Sequence, residues 1–340
     1  MSIHVVLFAD SHLGFDDPVR PTTQRRRRGD DFFANYLRVV DHVLSERPDL
    51  VVHGGDLFCR SRVPARVVDR AYEPLVSIAA SGIPVVIVPG NHERSRLPES
   101  LWLGVPNLLV FREPSTFLFD CRGTSVAVSG FPFVRRVRDA FPDMLEQTGW
   151  HAASADVRVL CLHQTVEGAT VGPKDHIFRS GNDVIPWRAI PAELPLVLAG
   201  HIHRRQVLTR SETRRVIYPG SIERTSFAEK NEVKGFYDLR IDTRPGFLES
   251  TRFVPLATRP MVDLELRASP DDVREEIASS VAEIDSEAVV RVRWPAVPID
   301  VAQRTLTASF LRCTFPPTMN VQLPLELRRP RRAPDREPVS

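Results

Sequence analysis

Paired cysteines are the first thing this chain lacks. Its 340 residues hold four, Cys59, Cys121, Cys161 and Cys313, at no repeated short spacing. That argues against both a disulfide framework and a cysteine zinc module. An excess of charge of one sign is also missing: 45 basic against 43 acidic residues leave a formal +2. Any contact with nucleic acid would therefore rest on local patches rather than on the field of the whole molecule. No apolar stretch approaches the ~20 residues that span a bilayer. The start, MSIHVVLFAD, enters a strand directly, without a basic leader region or cleavage site. The expectation is a soluble, cytoplasmic chain with no membrane partner.

What is present supports a folded, two-domain chain. Hydrophobic residues make up 42%, and this length suggests two domains at roughly 100–200 residues each. The basic residues are mostly Arg, which suits bidentate phosphate contact, although genome composition explains Arg richness equally well. Strand IHVVLFA is followed by a polar loop through Arg25, Arg26, Arg27 and Arg28. Phe33, Leu37, Val40 and Leu44 at helical spacing predict a helix over 30–46. Pro48 ends it, and LVVH is the next strand. Pro64 opens a helix over 64–80, Gly82 closes it, and 84–88 is a third strand. This βαβαβ order implies a largely parallel sheet.

After residue 107 the strands shorten, which predicts a second, more antiparallel sheet packed on the first. The sum is an α/β fold, a two-sheet β-sandwich flanked by helices, over 1–256. Beyond it, MVDLELRA and AVVRVRW read as strands, with helices over 270–284 and 299–311. They form a small α+β domain over 261–323. The Arg/Pro-rich stretch 324–340 reads as disordered.

Five polar clusters stand behind apolar, β-branched runs. IHVVLFA leads into Asp10-Ser11-His12, and LVVH into Gly54-Gly55-Asp56. PVVIVP leads into Gly90-Asn91-His92-Glu93, VRVLCL into His163, and LVLA into Gly200-His201-Ile202-His203. A buried strand that stops at a ligand residue delivers that side chain to the rim of its sheet, and five such strands can build one site. Asp10 and His12, two apart, would project to the same side of an extended strand end.

The donors are carboxylate, amide oxygen and imidazole, with no thiolate, a set suited to Mn²⁺, Fe or Zn²⁺. Seven candidate ligands (Asp10, His12, Asp56, Asn91, His163, His201, His203) exceed one metal and suit two, with a bridging carboxylate. Paired metals ~3.5–4 Å apart serve in-line phosphoryl displacement. His92 is left over beside Asn91, placed to hydrogen-bond the phosphate or protonate a leaving oxygen. Glu93 is expected to orient it. Each cluster alone is common by chance; their joint occurrence, in order and each after a strand, carries the reading. His53, inside its strand, reads as a satisfied core histidine, and His4, His42, His151 and His176 receive no role.

The order DxH, GD, GNH, H, GHxH resembles the calcineurin-like metallophosphoesterase superfamily. Within it, GGDLFCRSRVP, PGNHERS and YPGSIERTSFAEKNEVKGF resemble the DNA double-strand-break repair nucleases, the SbcD-like exonuclease family. The resemblance implies the metallophosphoesterase fold and a DNA nuclease with two divalent ions, Mn²⁺ as the working metal. Asp10, His12 and His203 would hold one ion, Asn91, His163 and His201 the other, with Asp56 bridging and His92 as the catalytic histidine. It further implies a C-terminal domain that caps the site, a homodimer through helices near the site, and an SMC-like ATPase partner.

Residues 64–80, with Val67, Val68, Ala71, Leu75 and Ile78, offer a dimer surface or plain core packing. Little but LRRPRRAPDREPVS follows the small domain, so the ATPase partnership stays open. Arg328, Arg329, Arg331 and Arg332 in that stretch, and the Arg25–Arg28 run, could touch DNA backbone or simply be solvated. Glu93 stands where the family has Asp. Two other functions stay open: a phosphodiesterase acting on nucleotides or small diesters, and a DNA-binding scaffold with a structural metal site.

Overall fold

Val6 and Phe8 of strand β1 (Ser2–Phe8) enter one apolar cluster, while Ile3, Val5 and Leu7 enter another. A strand buried on both faces needs a layer on each side, and that requirement sets the architecture. The structure is a computed structural model that describes residues 2–16, 26–243, 248–295 and 297–323. Arg25 and the stretch 324–340, with Arg328, Arg329, Arg331 and Arg332, lie outside the described residues. The chain divides into two units, Met1–Arg20 with Arg27–Thr258, and Pro21–Arg26 with Arg259–Ser340.

The first unit begins β1, α1 (Gly29–Glu46), β2 (Leu50–His53), α2 (Ala65–Ala80), β3 (Val85–Ile87) and β4 (Leu108–Val110). Asp30 and Asp31 sit in the first turn of α1, where carboxylates complement the helix dipole. Arg47 closes α1 in a left-handed conformation, its N–H donating to Val43 O. There follow β5 (Ser115–Cys121), β6 (Thr124–Gly130), α3 (Val137–Gln147) and β7 (Val157–His163). After the two-residue strands β8 (Thr165–Val166), β9 (Thr170–Val171), β10 (His176–Ile177) and β11 (Val184–Ile185) come β12 (Leu196–Gly200), β13 (Gln206–Thr209) and β14 (Arg215–Tyr218). β15 (Gly235–Asp242) and β16 (Leu248–Pro255) return to the first sheet.

Two six-stranded sheets result, ordered β16-β15-β1-β2-β3-β4 and β13-β14-β12-β7-β6-β5. Their inner faces share a cluster containing Val5, Leu7, Val159, Cys161 and Leu198. Helices α1 and α2 cover the outer face of the first sheet through Phe32, Tyr36, Ala71 and Leu75. Helix α3 covers the second through Phe141 and Leu145. Each such fully buried large side chain contributes about 1.5–3 kcal/mol.

Two expectations for the first unit need correction. The second sheet is no more antiparallel than the first: β6, β7, β12 and β14 run parallel, and only β5 and β13 at its edges are antiparallel. Short strands between turns hid the crossovers. The buried face of α1 is Phe32, Phe33, Tyr36, Val39, Val40 and Val43, whereas Leu37 is 40% exposed. Of the two readings of the α2 face, core packing holds: Val67, Val68, Ala71, Leu75 and Ile78 are all core residues, so this face is occupied within the chain.

The second unit has its own core, built on Val273, Ile277, Val290 and Phe315. Strands β17 (Met261–Glu265), β18 (Val289–Arg293) and β19 (Asn320–Gln322) form a parallel sheet, with helices α4 (Val273–Glu283), α5 (Ile299–Thr305) and α6 (Ala308–Thr314). The single helix expected over 299–311 is two. Thr307 breaks it, because its side chain caps α6 by accepting the Phe310 N–H. Among the described residues no helix is long and apolar enough to cross a membrane.

Candidate metal centre

The loops leaving β1 and β2 run side by side and are tied through backbone. Asp10 N donates to Gly55 O at 2.8 Å, His12 N to Asp56 O at 3.0 Å and Leu13 N to Leu57 O at 2.8 Å. This pairing brings Asp10, His12 and Asp56 to one place at the carboxyl ends of parallel strands, where α/β sheets put their sites. The backbone is not extended there, as the DxH spacing had suggested. Asp10 (φ 51°), His12 (φ 44°), Asp56 (φ 52°) and His201 (φ 84°) all adopt left-handed conformations. Such conformations are costly for residues with a Cβ and cluster at functional sites. Gly55 (φ +108°) admits no side chain at all, since a Cβ would fall 2.2 Å from His163 Nδ1.

All seven predicted ligands come together. Asp10, His12 and His203 place ligand atoms within 4.8 Å of one another, as do Asp10, Asp56 and His163, and also His12, Asp56 and His92. Asn91 Oδ1 lies 3.0 Å from His163 Nε2 and 2.8 Å from His201 Nδ1. His163 Nε2 is also 3.3 Å from Asp56 Oδ2. His12 Nε2 and His203 Nε2 are 3.0 Å apart. The Asp10 carboxylate accepts the His201 N–H at 3.1–3.2 Å.

Tautomers decide what this cluster can hold. His163 donates from Nδ1 to Gly54 O at 2.8 Å, so the lone pair of its Nε2 faces the oxygens of Asp56 and Asn91. His203 donates from Nδ1 to Glu229 Oε1 at 3.1 Å, so its Nε2 lone pair faces His12. A ring nitrogen aimed at carboxylate and amide oxygens in a buried site calls for a cation there, a proton or a metal ion. The electrostatics agree. Burial lowers His163, but the charges of Asp56 and Asp10 outweigh it and push the imidazole up to about 9. Burial works against the Asp56 carboxylate too, yet His163 holds it below the usual range. Asp10 is raised, by burial first. His201 falls to about 3, chiefly through burial, and His12 is lowered for the same reason. The raised His163 marks where the negative charge of the cluster holds a cation, and imidazoles and carboxylates are the donor set of a divalent metal site, which these residues fit.

His92 stands at the edge, 45% exposed, with Nδ1 3.0 Å from Cys59 O and Nε2 3.9 Å from Asp56 Oδ2. Its own backbone N–H donates to Asp56 Oδ1 at 2.9 Å. Glu93 does not orient it, contrary to the sequence expectation. Its buried carboxylate accepts Phe58 N–H at 2.7 Å and Gly90 N–H at 2.8 Å, joining the loop after Asp56 to the loop before Asn91. His53 is buried and satisfied, bonded to Ser11 Oγ at 2.9 Å and accepting the Gly55 N–H at 3.2 Å.

Three of the four arginines at 25–28 are engaged by the chain itself. Arg26 pairs with Glu287 inside the second unit. Arg27 binds Asp16 at 2.8 Å. Arg28 is buried, against the rings of Phe15 and Phe32, and donates to Arg224 O. Sequence reasoning passed over Thr225, Glu229 and Lys234, which gather behind His203. The unexplained GSIERTSFAEKNEVKG stretch was their signal.

Comparison with known proteins agrees with this geometry. The calcineurin-like phosphoesterase family matches residues 3–205. A DNA double-strand break repair protein Mre11 of Methanococcus maripaludis is 26% identical over 68% of this chain and 61% of its own length. Its namesake in Archaeoglobus fulgidus is 25% identical over 83% of this chain and 66% of its own. An SbcCD nuclease subunit from Staphylococcus epidermidis is 26% identical over 69% of this chain and 66% of its own. The chain thus spans about three fifths to two thirds of the length of these relatives. With more than half of its length matched, and with its Asp, Asn and His side chains gathered at the strand ends, this chain belongs to the calcineurin-like phosphoesterase family.

Proposed function

We propose that this chain is a two-metal DNA nuclease that hydrolyses phosphodiester bonds in break repair or end processing. The observation that carries it is the convergence of seven donor side chains from five strand ends, with His92 exposed beside them. The likeness to a repair protein and to part of a nuclease supports DNA as the substrate. Asp10, His12 and His203 would hold one ion and Asn91, His163 and His201 the other, with Asp56 between them and Mn²⁺ as the working metal. When bound, such a pair supplies charge neutralisation at the phosphate and lowers the pKa of the attacking water.

The chain's own groups do the rest. Gly54 O and Glu229 fix the tautomers of His163 and His203. The Cys59 carbonyl accepts from His92 Nδ1, which leaves Nε2 for the substrate. Water oxygen joins phosphorus and gives up a proton to solvent, the P–O bond to the departing sugar breaks, and protonated His92 donates to that oxygen and regains its proton from solvent. We extend the proposal to partners: a second copy, by a surface other than the apolar face of α2, and an SMC-like ATPase. The second unit is proposed to help admit DNA.

The test compares wild type with Asp56→Asn, with Mn²⁺, on end-labelled linear duplex DNA and on a small chromogenic phosphodiester. Duplex cleavage abolished by the substitution is the expected result. Turnover of the small diester with intact DNA would favour a general phosphodiesterase. Hydrolysis of neither would favour a scaffold with a structural metal site.

A further inference from the structure

The carboxylate of Glu229 is saturated, and its ligands all belong to one structure behind His203. Oε1 accepts His203 Nδ1–H at 3.1 Å and Thr225 Oγ1–H at 2.6 Å. Oε2 takes Lys234 Nζ at 2.7 Å, the Thr225 N–H at 3.3 Å and Ser221 Oγ at 3.4 Å. Lys234, 1% exposed, also donates to His203 O and to Glu232 Oε2, each at 2.9 Å. Glu229 and Lys234 thus grip His203 from both ends, by ring and by backbone carbonyl. Burying an ammonium and a carboxylate is expensive, and hydrophobic packing would stabilise this loop as well. His163, across the site, donates instead to a plain backbone carbonyl, Gly54 O.

We infer that Glu229, held by Lys234 and Thr225, is a positioning residue that sets the metal affinity of the Asp10–His12–His203 subsite alone. The inference rests on the metal reading proposed above. A carboxylate behind an imidazole fixes the ring and strengthens its far nitrogen as a donor, and such partners are worth about 10–100-fold in metal affinity. The long ERTSFAEKNEVKG stretch is thereby explained: it is the outer support of one metal ligand.

Titration of the full chain with Mn²⁺ by calorimetry, fitted to two sites, tests this, with far-UV circular dichroism monitoring the fold. Glu229→Gln is expected to weaken one site about 10–100-fold and leave the other unchanged. Thr225→Val, which removes the hydroxyl's bonds to Glu229 Oε1 and to the His203 ring but no charge, should weaken the same site by a smaller factor. Equal weakening of both sites, or of neither, overturns the inference. Should Glu229→Gln not fold, Thr225→Val decides, and two unchanged affinities overturn it. Fewer than two sites in wild type would sink the metal reading with it, whereas two wild-type sites that Glu229→Gln leaves intact sink only the role of Glu229.

Discussion

Gly54 and Gly200 meet backbone to backbone where the two sheets close on the site. Gly54 follows β2 of the first sheet and Gly200 ends β12 of the second. A Cβ on Gly200 would stand 2.3 Å from Gly54 O, and one on Gly54 would stand 2.8 Å from Gly200 N. Both neighbours are backbone and cannot swing aside. The approach lets Asp56 and His201, on the following turns, share one site. Gly200→Ala should therefore part the strand ends at about 1–3 kcal/mol and weaken Mn²⁺ binding, read by urea denaturation and by metal titration. Wild-type values for both would show that the site does not need this approach.

His92 touches the rest of the protein mainly through Asp56 and the Cys59 carbonyl, and its ring is exposed. His92→Asn should lower metal-dependent cleavage by about 10²–10⁴-fold, the usual worth of a general acid, with Mn²⁺ stoichiometry and stability retained. A variant that loses metal instead would make His92 a ligand.

Asp238, on β15, gathers His4 Nε2 at 2.9 Å, His42 Nε2 at 3.1 Å and Arg252 Nη2 at 2.7 Å. Burial acts to raise its carboxyl, but hydrogen bonds from Arg252 and His42 prevail and hold it below the usual range. A depressed folded-state pKa contributes stability above the unfolded value, lost as pH falls through the folded one. Asp238→Asn should then cost about 1.5–3 kcal/mol at pH 7, with the gap closing below about pH 4. Denaturant titrations at pH 7 and pH 3 check this, and a gap independent of pH would mean the charge contributes nothing.

Glu93 and His92 show the limit of reading from neighbours in the chain. Adjacent residues on a turn look equally available to each other, yet Glu93 faces inward to two backbone amides and His92 outward. Leu37 shows a similar limit: it fits the helical period of α1, but the sheet beneath takes the stripe through Phe32, Tyr36 and Val39. Which of two overlapping stripes is buried depends on the partner layer.

The sequence by itself determined the strands and the donor types. IHVVLFA before Asp10 or LVLA before His201 is a local signal, because a strand buried on both faces must be apolar throughout and must stop where a polar donor emerges. The tertiary structure alone decided what lies behind those donors. Glu229 is 26 residues beyond His203, Gly200 is far along the chain from Gly54, and Asp238 is 234 residues from His4. Hydrogen-bond geometry and steric approach act through space at about 3 Å, and no spacing along the chain encodes such contacts until the sheets have closed.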